Sequence, residues 1–79
     1  MTNAETYIFV RLFQSYVTGG DTYSFVYKTA NPDKIKQYQD AIKSLEDNGF
    51  IQILYQSDKK TRMALTEKGI DHGSSVIFD

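Results

Sequence analysis

The chain has 79 residues, 41% hydrophobic and 14% aromatic, with nine basic and ten acidic side chains and a net charge of −1. That length supports one core, hence a single domain over residues 1–79, and the apolar content excludes a disordered chain. Cysteine is absent, which removes disulfides and thiolate metal sites, and the near-neutral charge means that any cationic surface has to be local. Thr2-Asn3-Ala4-Glu5 reads as a capping box, the Thr2 hydroxyl accepting from the Glu5 N–H while the Glu5 carboxylate reaches back. The first helix starts there and ends at Gly19-Gly20, which can supply a left-handed cap. Phe9, Leu12, Phe13, Tyr16 and Val17 follow the i, i+3, i+4, i+7, i+8 spacing of a buried face. Ile8 and Val10 widen the apolar arc to roughly 200°, about twice the ordinary stripe of ~100°. Such a helix either runs through the middle of the domain or also forms a dimer interface. Self-association suits a chain whose own core is small.

Residues 21–30, DTYSFVYKTA, fit two patterns. Tyr23, Val26, Tyr27 and Ala30 match a helix face, whereas Tyr23, Phe25 and Tyr27 alternate as in a strand, which the aromatic and β-branched content favours. Asp21 as N-cap and the element order below favour a short helix, the reading adopted. Asn31-Pro32-Asp33 then marks a helix start: a capping side chain, a proline where no N–H is needed, and an acid at the positive end of the dipole. This helix runs to about Asn48, burying Ile35, Tyr38, Ala41, Ile42 and Leu45, and stops at Gly49. Next, FIQILYQ alternates Ile51, Ile53 and Tyr55 against Gln52, Leu54 and Gln56; SDKK is a polar turn, and TRMALT returns with Met63 and Leu65 inward. The pair forms a hairpin. Thr66 caps a short turn closed by Gly69, and SSVIFD is available as an edge strand or for docking on a partner.

Catalysis finds no support. His72 is the sole histidine and has no nucleophile at a recognisable spacing, the carboxylates form no evident pair, and the glycines form no phosphate loop. No metal or cofactor is expected. The longest apolar run, Tyr7 to Val10, is too short for a bilayer, and no signal peptide is evident, so a cytoplasmic location is expected.

Helix, short element, helix and hairpin is the order of a winged helix-turn-helix domain. AIKSLEDNGFI at 41–51 resembles the end of the recognition helix and first wing strand of bacterial winged-helix regulators. MALTEKG at 63–69 resembles the second wing strand and closing LTxKG of MarR-like and PadR-like regulators and of small phage or plasmid winged-helix proteins. About 30 residues carry this likeness; the remainder shares only element order. The resemblance implies an α+β winged helix-turn-helix fold, three helices followed by a β-hairpin wing, with an optional C-terminal edge strand. It further implies binding of double-stranded DNA by a small transcriptional regulator. Lys34, Lys36, Gln37, Asp40, Lys43 and Ser44 would lie on the recognition helix in the major groove, and Lys59, Lys60 and Arg62 on the wing against the backbone. Asp40 there would accept from a cytosine amino group or pair with Lys36 and Lys43. A homodimer joined through Ile8, Val10, Val17 and Phe78 would present two such helices to half-sites about one turn, ~34 Å, apart. The alternative is a protein-interaction or inhibitory module, such as an accessory protein of a mobile element, which suits the near-neutral charge, the broad apolar arc and the six tyrosines.

Overall fold

A computed structural model describes residues 1–77 and places six elements in chain order: α1 (Asn3–Val17), β1 (Tyr23–Val26), α2 (Pro32–Asp47), β2 (Ile51–Gln56), β3 (Lys60–Leu65) and α3 (Glu67–Ile77). The helix starts expected at Thr2 and Asn31 are present, whereas the one expected at Asp21 is not. Thr2 Oγ1 accepts from Glu5 N at 3.2 Å while Thr2 N donates to Glu5 Oε1 at 3.4 Å, and Asn31 Oδ1 accepts from Asp33 N at 2.9 Å. Among the described residues no helix is long and apolar enough to cross a membrane.

The strands form one antiparallel sheet in the order β1-β3-β2. Phe25, Thr61, Met63 and Ile51 point inward and are buried, meeting Ile8, Phe9 and Leu12 of α1 and Ala41, Ile42 and Leu45 of α2 in a single core. Ser24, Val26, Lys60 and Arg62 point outward and are exposed, so this face of the sheet is open to solvent. The one buried polar side chain on β3, Thr61, hydrogen-bonds through its hydroxyl to that of Tyr27.

This architecture corrects the winged helix-turn-helix expectation. Residues 23–26 are a strand, so no helix lies between α1 and α2 to make a helix-turn-helix, and the third helix follows the hairpin instead of leading into it. The physical reason is the period-2 alternation of Tyr23, Phe25 and Tyr27: their burial is satisfied by pairing Tyr23 with Met63 and Phe25 with Thr61. The expected C-terminal edge strand is also absent, because Glu67–Ile77 is helical. Phe78, named for a dimer interface, lies outside the described residues.

α2 ends as its sequence indicates. Gly49 takes φ +81°, Phe50 N donates to Leu45 O at 3.1 Å and Gly49 N to Glu46 O at 2.9 Å, the paired bonds of a left-handed helix stop. Phe50 then packs on Phe9, with centroids 6.0 Å apart, and stacks on His72 at 4.5 Å. His72 is therefore a packing residue. The hairpin is present, but the register shifts between Ile53 and Tyr55, which pairs Tyr55 with Arg62 on the outer face and leaves it exposed instead of buried.

The LTEKG segment has a different use from the turn expected of it. Thr66 caps α3, its hydroxyl accepting from Gly69 N at 3.1 Å, and Gly69 lies inside the helix. A Cβ on Gly69 would fall 2.0 Å from the Phe50 carbonyl oxygen, and one on Gly73 2.3 Å from the Phe13 ring. These glycines let α3 lie directly on the end of α2 and on α1.

Candidate nucleic-acid interface

The nine basic side chains divide into three groups according to what they touch. Lys36 and Lys43 are exposed on α2 and paired within it: Lys36 with Asp40 at 3.2 Å, Lys43 with Asp47 at 2.9 Å and with Glu46 at 3.4 Å. The hydrogen bond and charge of Asp47, followed by the hydrogen bond of Glu46, raise the Lys43 pKa. Lys68 lies across the end of α2, donating to Asn48 O at 2.7 Å with its ammonium 5.1 Å from the Phe50 ring centre. It supplies the cation that α2 lacks in its own last turn.

The remaining six, Arg11, Lys28, Lys34, Lys59, Lys60 and Arg62, have no carboxylate partner among the described residues. They lie along β1 and the segments beside it. Val26 pairs with Lys60 and Ser24 with Arg62, and Tyr27 N donates to Lys59 O at 3.1 Å. Arg11 and Lys34 reach the other side of β1 from α1 and from the first turn of α2. Asp21 and Asp58, in bends of the chain, and Asp33, in the first turn of α2, pair with none of the six.

Two concavities interrupt the band. On the outer sheet face, Tyr55, Lys60, Arg62 and Ser24 surround a shallow recess, and Arg62 Nε lies 3.5 Å from Thr22 Oγ1. Between α1, β1 and the start of α2 lies a groove of about 530 Å³ whose lining includes Arg11, Lys28, Lys34 and four tyrosines, with no carboxylate. The Arg11 guanidinium stands 5.3 Å from the centre of the Tyr7 ring, and its pKa is raised, first by hydrogen bonding to Tyr23 and then by interaction with Tyr7. The groove runs along the free edge of β1, which has a neighbour on one side only. Since Tyr27 N bonds to Lys59 O, just before β3 and in register with its pairing to β1, the alternation of an antiparallel ladder turns the N–H and C=O of Ser24 and Val26 toward that free edge. Lys28, at its end, holds φ 57°, the only positive φ outside glycine among the described residues.

The residues expected on a recognition helix are scattered by this fold. Lys34 joins the groove; Gln37 and Asp40 border a depression against Thr2 and Glu5 of α1; Ser44 donates to Glu5 Oε2 at 3.4 Å and faces α1. Ile8, expected at a dimer interface, is fully buried in the core and cannot reach a partner, while Val17 is exposed. Lys59, Lys60 and Arg62 are exposed on and beside the hairpin tip. Arg11 and Lys28 were not among the expected site residues. The YSFVYK run held the available signal, an alternating aromatic strand ending in a cation. Among the described residues no group of histidines and carboxylates could hold a metal ion. No protein-family model, curated protein or solved structure matches the chain.

Proposed function

We propose that the protein binds nucleic acid through the cationic band that runs from Arg11 across β1 to the hairpin, using it to contact the phosphate backbone. One observation carries this reading: every basic side chain that is neither paired on α2 nor capping it falls along that band. An unpaired Lys or Arg keeps its full attraction for phosphate and releases a counterion on contact, whereas one closed into an i,i+4 pair must first give up its partner. The outer face of α2 is of the second kind, which argues against α2 as the element that meets the bases.

The test is fluorescence anisotropy with random-sequence DNA at about 50 and 200 mM salt. Binding is expected to weaken steeply between the two. Lys59→Ala with Lys60→Ala should flatten the salt slope by about two phosphates' worth, and Lys36→Ala with Lys43→Ala should leave it unchanged. Equal effects of the two pairs would return the contact to α2. No binding at low salt with tens of micromolar protein would refute the reading and leave a protein as the partner.

A second reading, self-association, draws on a different surface. Met1, Val10 and Val76 line a recess between α1 and α3, with Met1 and Val76 more than half exposed. Light scattering at micromolar concentration checks it: a dimer that Val76→Lys converts to monomer is expected, and a monomeric wild-type protein would exclude it.

A further inference from the structure

We infer that the groove beside β1 receives an unpaired base of a single-stranded nucleic acid while the flanking cations hold its phosphates. This names the substrate class of the cationic band and rests on that reading. The volume, about 530 Å³, is in the range that encloses small ligands, roughly 300–1,000 Å³. Its charge is of one sign, from Arg11, Lys28 and Lys34, and its walls are rings. Tyr7 is half exposed, and Tyr23 and Tyr38 are partly so. A duplex keeps its bases stacked inward and offers the cations of such a recess only phosphates; an unstacked base offers a π face that tyrosine and arginine both stack on, whatever the sequence.

Two features of the groove point the same way. The backbone N–H and C=O groups of Ser24 and Val26, turned to the free edge of β1, can pair with the hydrogen-bonding edge of a base. Lys28 lines the groove from a left-handed backbone conformation that glycine or asparagine takes at less cost. Strain of this kind persists where the side chain is needed. An acidic peptide adding as a strand fits less well. The four residues of β1 turn only Ser24 and Val26 outward, while the cations continue past the groove to Lys59, Lys60 and Arg62, a path for a chain of repeating charge.

The experiment compares labelled oligothymidylate of about 20 nucleotides with a duplex of equal length at about 50 mM salt, for the wild type, Tyr7→Ala and Lys28→Gly. The single strand is expected to bind about tenfold tighter than the duplex, and Tyr7→Ala to weaken single-strand binding about tenfold while leaving duplex binding within about twofold. Lys28→Gly, which relaxes the backbone and so keeps the fold, should weaken the single strand about threefold through one lost phosphate contact. With six tyrosines and no tryptophan, wild-type tyrosine emission should be quenched by the single strand; this readout and Lys28→Gly carry the test if Tyr7→Ala fails to fold. Duplex bound as tightly as single strand, with no effect of Tyr7→Ala or Lys28→Gly and no quenching, would overturn the inference and leave the cationic band standing. Failure of both nucleic acids to bind would overturn both. Displacement by poly-glutamate as effective as by oligothymidylate would overturn the inference in favour of an acidic peptide.

Discussion

Replacing Gly69 by alanine tests how α3 is held. In an ordinary helix interior the change stabilises by about 1 kcal/mol, because glycine is the more flexible residue. Here the new Cβ would stand 2.0 Å from the Phe50 carbonyl oxygen and 2.9 Å from Leu65 Cδ2, where ordinary contact begins at 3.4 Å. The leucine can rotate away; the carbonyl cannot, since it belongs to the backbone after α2 and already accepts from Thr66 N at 3.1 Å, the bond that anchors the start of α3. Relief therefore requires α3 to lift. Overpacking of this kind costs about 1–3 kcal/mol, and losing the Thr66 bond about 1 more. Set against the helix gain, the net loss is about 1–3 kcal/mol, or a fall in Tm of about 4–8 °C per kcal/mol in a domain of this size. Thermal and urea unfolding followed by circular dichroism measure it, with Ser74→Ala on the exposed side of α3 as a control expected to stay within about 0.5 kcal/mol of wild type. A Gly69→Ala protein as stable as wild type would show that α3 does not rest on Phe50.

Three further outcomes are expected. Tyr27→Phe strands the buried Thr61 hydroxyl and should cost about 1–3 kcal/mol, whereas Tyr27→Phe with Thr61→Val removes both partners and should cost less than the two single changes together; additivity in that cycle would mean that the hydroxyls do not interact. Lys28→Gly should raise stability by about 1 kcal/mol in urea titrations by releasing the left-handed lysine, and a loss of stability would place the Lys28 side chain in the packing instead. Gly49→Ala should cost about 1 kcal/mol or more by forcing a side chain into φ +81°; an unchanged urea midpoint would show that the helix stop does not depend on that conformation.

Features set by neighbouring residues were legible. The capping box at Thr2, the Asn31-Pro32 start, the buried stripe of α2 and its stop at Gly49 all depend on side chains within a turn of one another. Of the two pairings expected of Asp40, the one with Lys36 is present, whereas Lys43 turns to Asp47 and Glu46 instead. β1 was harder. Its local pattern pointed to a strand, but its sheet partner lies across α2 in β3, and resemblance in element order drew the reading toward a helix. Gly69 and Gly73 look like helix breakers until Phe50 and Phe13 are seen against them, and the slip at Leu54 that turns Tyr55 outward leaves no mark in an alternating sequence. Of the cations in the proposed band, Lys59, Lys60 and Arg62 stand together on one segment and could be grouped from the sequence, and Lys34 was expected only as part of α2. Arg11, Lys28 and Lys34 come from three separate stretches and become neighbours only through the fold.

The packing of Gly73 on Phe13 sets an order of events during synthesis. α1 and β1 leave the ribosome before the rest of the sheet, yet β1 has no hydrogen-bonding neighbour until β3 emerges, and the Phe13 ring lacks its glycine cover until α3 follows. The native sheet therefore closes only after β3, and the nascent chain carries an aromatic strand with two bare edges until residues 60–65 have emerged. Slowing elongation after residue 56 is expected to lengthen the interval in which chaperones can bind that strand and in which it can pair with another nascent copy.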